Sequence, residues 1–167
     1  MMNRSGSFLM MGVLLLGLFG TAFVTQNDEQ EAKGYEYLTQ TLENTKSQTL
    51  GVINAMPADK FSYKPVDDVR TFGAQAFHLA QAIDFFMANF QGQQFQPGET
   101  DENSMTKEEV AKYYSEQFDK ITAYIMGAEE SGPLTAGIMF FLDHNANHRG
   151  QMVTYLRLNG ITPPQSQ

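Results

Sequence analysis

Residues 133–160 read PLTAGIMFFLDHNANHRGQMVTYLRLNG, and their apolar residues recur at steps of three and four. This spacing is typical of a helix with one buried face. Pro133 suits the first turn of such a helix. Gly160 suits its end, and the proline pair at 163–164 prevents its continuation. The sequence therefore predicts a long helix over this stretch.

Three further helices are predicted upstream from the same periodicity. Pro57 ends the first, because the residue before a proline avoids helical geometry. Thr71 is a plausible N-cap for the second, and Thr106 with Glu109 fits a capping box at the start of the third. With no convincing strand, the pattern predicts an all-α four-helix bundle. The first three helices are expected at about Gln30–Met56, from Thr71 to about Phe90, and from Thr106 to about Gly127.

Two long connections separate these helices. Residues 58–70 contain Phe61 and Tyr63, which we expect to pack down on the bundle. Residues 91–105 are rich in glycine, glutamine, proline and aspartate. Their length would allow the chain to cross the bundle between helices 2 and 3 instead of turning straight back.

The last helix holds His144 and His148, which lie four residues apart and thus on the same face. Both fall on the apolar stripe, and two imidazoles so placed can bind one metal ion. His78, the third and last histidine of the sequence, falls in the mostly apolar second helix. The pattern suggests a three-histidine metal site. The alternative is that all three are core histidines bonded to polar neighbours, and spacing does not separate the two.

The residues around the histidines restrict the chemistry. The sequence has no cysteine, so a transition metal would use histidine or carboxylate ligands. A zinc protease of the His-Glu-x-x-His type needs a glutamate directly after the first histidine as general base. Asn145 stands there, and an amide cannot take a proton from water, which excludes that class. Gln151 lies one turn beyond His148 and could orient its ring.

The N-terminus predicts export. A short positive start, an apolar run over residues 8–19 and small residues at 20–22 describe a signal peptide, residues 1–22, cleaved after Ala22. The alternative is an uncleaved membrane anchor, because apolar residues continue to about residue 24. The protein is expected to be periplasmic or secreted, or anchored by this segment. The helical domain is expected over residues 30–164.

The charge balance limits the partners. Acidic residues outnumber basic ones by 19 to 11, for a formal net charge of −8. This balance argues against nucleic acid as a partner, because phosphate binding needs a basic face. We expect a small-molecule substrate, contact with a membrane only if the N-terminal segment is retained, and a homodimer as one possible assembly.

The order of these motifs resembles the DinB/YfiT-like superfamily. The resemblance runs from about Tyr35 to Pro164, nearly all of the predicted domain, and no single motif in it is decisive. It is carried by a helix with His78 and by three stretches: MPADKFSYKP at 56–65, HNANHRGQ at 144–151 and YLRLNGITPP at 155–164.

This resemblance implies a four-helix bundle whose helices 2 and 3 run parallel, joined by a long crossover. It also implies a divalent metal ion, commonly zinc, nickel or iron, held by His78, His144 and His148. Some relatives use low-molecular-weight thiols in transfer or isomerisation. Two features depart from the family: Asn147 stands where many members have a further histidine, and export separates the chain from cytoplasmic thiols.

Three functions follow as hypotheses. The first is a metal-dependent enzyme of small-molecule chemistry, in which the ion activates a thiol or water for transfer or hydrolysis. The second is a non-enzymatic exported module that binds a metal or small ligand. The third is a bundle that keeps its histidines for packing. A general base is not assigned, and the candidates are Asp84, Asp143 and Tyr155.

Overall fold

The computed structural model describes residues 34–165, and this part of the chain forms four α-helices without a β-strand. The predicted all-α bundle is confirmed. The predicted signal peptide lies outside the described residues. Within them, no helix has the length and apolar character needed to cross a bilayer. The helices are α1 Thr39–Ala55, α2 Phe72–Phe90, α3 Lys107–Met126 and α4 Gly132–Leu158.

The long connection between α2 and α3 allows these neighbours to run parallel. Phe77 of α2 stacks on Tyr113 of α3 at 6.0 Å between ring centroids. Further along both helices, the Tyr124 hydroxyl donates to the Phe90 carbonyl over 2.7 Å. Contacts that advance together along both helices show a parallel pair, so the chain between them must return to the start of α2. The predicted crossover is confirmed.

Helices α2 and α4 run antiparallel. Gln75, near the start of α2, bonds to Gln151 late in α4. Phe86, late in α2, packs edge-on against Phe141 earlier in α4 at 5.4 Å between centroids. This arrangement brings the first half of α2, with His78, opposite the middle and second half of α4, with His144 and His148.

The connection before α2 packs on the bundle, as expected. Phe61 meets Phe72 edge-on at 5.5 Å, and Tyr63 meets Tyr155 edge-on at 6.3 Å. The backbone joins in, because the Phe72 N–H donates to the Tyr63 carbonyl and the Gly73 N–H to the Phe61 carbonyl, each over 2.8 Å. These bonds hold the first turn of α2, three residues before Gln75 and six before the first histidine.

The helix starts of α2 and α3 are those that the sequence predicts. The Thr71 hydroxyl accepts from the Ala74 N–H over 3.0 Å. Thr106 and Glu109 form the capping box, with the Thr106 N–H donating to the Glu109 carboxylate over 2.8 Å. Side-chain acceptors thus satisfy N–H groups that have no partner within the helix.

Both ends of α4 are also capped. Ser131, which the sequence analysis missed, accepts from the Leu134 N–H over 3.4 Å. At the other end, Gly160 has φ of +71°, and the Ile161 N–H donates to the Leu156 carbonyl over 2.9 Å. This is the Schellman arrangement, in which glycine takes the left-handed conformation at little cost.

The predicted start of α1 is wrong within the described residues. Helix α1 begins at Thr39, after a 3₁₀ turn at Glu36–Leu38. Tyr35, which fits the helical periodicity, is fully buried but lies outside the helix. Its hydroxyl donates to the Ser131 carbonyl over 3.2 Å. Tyr35 is thus held by a contact with the start of α4 and not by a further turn of α1.

Two glycines with opposite surroundings give a stability test. A Cβ at Gly150 would meet nothing within 4 Å, whereas a Cβ at Gly73 would lie 2.7 Å from Phe61 Cδ1. We expect Gly150→Ala to raise the free energy of unfolding by about 0.5–1 kcal/mol. Gly73→Ala should lower it by roughly 1–3 kcal/mol through overpacking. Urea unfolding followed by circular dichroism measures both, and effects of equal sign would contradict the packing of residue 61.

Candidate metal site

Helices α2 and α4 bring the three histidines together. His78 projects from α2, and His144 and His148 project from α4 one turn apart. One potential ligand nitrogen from each lies within 4.8 Å of the others. The ring centroids are 4.3 Å apart for His144 and His148, 4.8 Å for His78 and His148, and 5.6 Å for His78 and His144. The structure thus assembles the predicted ligand set from two helices, with His78 at least 66 residues before the other two histidines.

The surroundings of the triad favour neutral imidazoles. All three rings are partly buried. Burial, followed by the neighbouring charges of His148 and His78, lowers the pKa of His144 to about 4. Burial, and then the charge of Arg70, lowers the pKa of His78 and of His148 as well. Since only an unprotonated nitrogen can bind a metal, the lowered pKa values keep the ligands competent near neutral pH.

One buried nitrogen of the triad has no hydrogen-bond partner. His144 Nδ1 is buried and has no hydrogen bond. An unmatched buried polar atom costs about 1–3 kcal/mol, and coordination of a metal through this nitrogen would satisfy it. The donor set of three imidazoles also suits zinc, nickel or iron. The residues present therefore fit a divalent transition metal.

The comparison with known families agrees with this architecture. The model of the DinB superfamily matches residues 41–152, which is more than half of the 167 residues and includes all three histidines. The chain belongs to the DinB superfamily. No curated protein matches it.

Among the solved structures that match this DinB-superfamily chain is the crystal structure of a DinB-like protein from Bacillus cereus ATCC 10987. It has 19% sequence identity and a TM-score of 0.58, and the match covers 81% of this chain and 99% of the other. At this identity the likeness supports the shared fold alone.

The three candidate general bases of this DinB-superfamily bundle each have another partner or are exposed to solvent. Asp84 accepts a hydrogen bond from Tyr113 on α3. The Tyr155 hydroxyl donates to the Arg70 carbonyl over 3.0 Å. Asp143 is exposed, and its charge opposes the lowering of the His144 pKa without outweighing burial. Hydrogen bonds account for the positions of Asp84 and Tyr155, and exposure to solvent accounts for that of Asp143.

Asn145, which excluded protease chemistry, has a structural role. It is 1% exposed, and it accepts from the Tyr114 hydroxyl over 2.9 Å. Its amide donates to the Phe141 carbonyl over 3.1 Å. This buried pair ties α3 to α4 next to the histidine triad, and it satisfies polar groups that the core encloses.

Gln75 is the site residue that the sequence analysis missed. Its side-chain amide contacts His148 Nδ1 and donates to Gln151 Oε1 over 2.7 Å. The available signal was an amide in a mostly apolar run, one turn before His78. The expectation that Gln151 orients His148 directly is replaced by a contact through Gln75.

Two cavities have walls that include a residue in contact with the triad, although no histidine lines either of them. One of about 520 Å³ includes Gln75, Gln151 and Arg70 in its wall. The other, of about 640 Å³, includes Phe86, whose ring meets His144 edge-on at 5.6 Å. These volumes are typical of small-molecule sites. The wall of the cavity beside Gln75 is mostly polar, and the wall of the cavity beside Phe86 contains several aromatic side chains.

Proposed function

We propose that this chain is an exported DinB-superfamily protein that binds one divalent ion, zinc, nickel or iron, through His78, His144 and His148. We further propose that it is a metal-dependent enzyme acting on a small molecule, by thiol transfer or hydrolysis. One observation carries the proposal: three partly buried imidazoles from two helices converge, with a nitrogen that the protein leaves unsatisfied. Export is supported by the N-terminal sequence pattern.

The convergence argues against a packing role for the histidines. Core histidines are expected to have hydrogen-bond partners, whereas His144 Nδ1 is buried without one. Charges on neighbouring histidines lower the pKa of His144 and His78. Three imidazoles so placed offer no packing advantage over apolar side chains of similar volume. A shared cation would offset these costs, because each imidazole could then donate a lone pair to it.

Three imidazole ligands leave positions open, which is typical of catalytic metal sites and not of closed structural sites. Bound there, the ion would act as a Lewis acid that lowers the pKa of a water or thiol toward about 7. The chain itself contributes neutral ligands, a polar wall around Gln75 and Gln151, and the apolar ring of Phe86 that shields His144 from water. An exported location favours water as the activated group, since low-molecular-weight thiols belong to the cytoplasm.

A non-enzymatic binding module is the second candidate, and one observation favours it. Among the described residues, Asp84, Asp143 and Tyr155 were the candidates for a general base, and each has other partners or faces solvent. A module that binds a metal or small ligand needs no such group.

The test begins with elemental analysis of the full chain purified without a histidine tag. We expect about one zinc, nickel or iron per chain, because one triad offers one set of ligands. The metal-loaded protein is then assayed for hydrolysis of activated esters and for conjugation of thiols to electrophiles. Turnover that disappears with the metal supports the enzyme, and tight metal binding without turnover supports the module. A chain that neither carries nor takes up metal contradicts both.

A further inference from the structure

Gln75 is a buried amide in a position where the fold must supply its partners. It is 4% exposed and lies one turn before His78 on α2. Burying an amide costs free energy unless its donors and acceptor are paired. Its partners lie across the helix interface on α4, where it contacts His148 Nδ1 and Gln151. The Gln75 amide therefore connects His148, a proposed ligand on α4, to α2, the helix that carries the proposed ligand His78.

The contact leaves only one nitrogen of His148 for a metal. Because Nδ1 faces the Gln75 amide, coordination must use Nε2. A metal-bound Nε2 carries no proton, so the ring proton must sit on Nδ1 and needs an acceptor. The acceptor available at that place is the oxygen of the Gln75 side chain.

The structure has the opposite orientation of this amide. The Gln75 nitrogen faces His148 Nδ1 and donates to Gln151 Oε1 over 2.7 Å. A nitrogen donor at this place requires an unprotonated Nδ1 and puts the ring proton on Nε2. A half-turn of the two terminal amides exchanges oxygen and nitrogen with almost no change of shape. After it, Gln75 Oε1 accepts from both His148 Nδ1–H and the Gln151 amide.

We propose that Gln75, supported by Gln151, is a positioning residue that selects the tautomer of His148 and switches between its metal-free and metal-bound forms. This inference rests on the proposed metal site. In the metal-free protein the Gln75 amide donates to the ring, and in the loaded protein it accepts from the ring. The Gln151 amide turns with it, because Gln151 must accept when Gln75 donates and donate when Gln75 accepts. Neither glutamine is a proposed metal ligand.

The experiment measures zinc affinity by competition with a chromophoric chelator. Gln75→Met keeps the length of the side chain but has no donor or strong acceptor. It is expected to weaken zinc binding about tenfold to hundredfold, the usual effect of removing a partner of a metal-bound histidine. Gln151→Met should weaken binding less, and should add little in the Gln75→Met background, because the two act in one chain of hydrogen bonds.

A spectroscopic readout separates positioning from general stability. Long-range ¹H–¹⁵N spectra of the imidazoles should place the His148 proton on Nε2 without metal and on Nδ1 with zinc. The matched control is Tyr114→Phe, which breaks the buried bond to Asn145 and should lower stability without changing zinc affinity or the His148 tautomer.

Two results would overturn the inference while leaving the metal site intact. One is zinc affinity in Gln75→Met within twofold of the unmodified chain. The other is a zinc-loaded protein whose His148 proton stays on Nε2. If the unmodified chain binds no metal at all, the proposed function fails together with this inference.

Discussion

His148→Ala is expected to weaken zinc binding by roughly two to three orders of magnitude. Structural zinc sites with four ligands bind with about 10–16 kcal/mol, so one ligand contributes about 2.5–4 kcal/mol, and each 1.4 kcal/mol is about tenfold. His148 is central to the triad, with ring centroids 4.3 and 4.8 Å from the other two histidines. Chelator competition on the full chain, metal-free at the start, measures the change.

Asn147→Ala is the matched control for this substitution. Asn147 lies beside His148 on the same helix and is exposed, so its replacement removes a side chain of similar polarity without touching the site. Zinc affinity should stay within about twofold of that of the unmodified chain. If His148→Ala binds zinc as tightly as Asn147→Ala, the ligand assignment is wrong, whatever the activity of the protein.

Phe141→Ala is expected to lower the free energy of unfolding by about 3–5 kcal/mol. Phe141 is fully buried, and its ring contacts Phe86 and Phe118 at 5.4 Å between centroids. Truncation removes apolar area and leaves a cavity that close-packed neighbours fill only in part. Because typical domains have only about 5–15 kcal/mol of stability, the loss should be evident in urea unfolding of the metal-free protein.

Phe140 supplies the contrast, because it is the same residue type one position earlier and is 61% exposed. Phe140→Ala should cost about 1 kcal/mol or less, as most exposed substitutions do. The pair also tests the rotation of α4 about its axis. Phe141, His144 and His148 share one face, so equal losses from both substitutions would mean that α4 is turned and that its histidines do not face α2.

Local sequence patterns predicted the four helices and most of their ends, since helix formation and capping depend on residues close in sequence. The capping box at Thr106 and Glu109 and the glycine end at Gly160 were predicted because their hydrogen bonds close within three to five residues. The start of α1 was not predicted correctly, because Tyr35 is held by Ser131, which is far along the chain. A helical period cannot reveal a partner 96 residues away.

The same distinction applies to the candidate site. Spacing put His144 and His148 on one face of a helix, and composition left His78 as the only further histidine. Family resemblance, not spacing, assigned the three to one metal. Asp84, in the apolar run of α2, was a candidate general base, yet its side chain accepts a hydrogen bond from Tyr113 on α3. The direction in which a residue faces depends on which helix packs there.

By itself, the sequence determined an acidic, cysteine-free chain with four helices, their caps, and two histidines one turn apart on a buried face. These properties are local, because helical hydrogen bonds and side-chain periodicity act over three to five residues. Only the tertiary structure decided that His78 meets the other two, that His144 Nδ1 is buried without a hydrogen bond, and that Gln75 contacts His148. Those contacts join residues more than 60 positions apart, and the antiparallel packing of α2 on α4 is what brings them within a few ångströms.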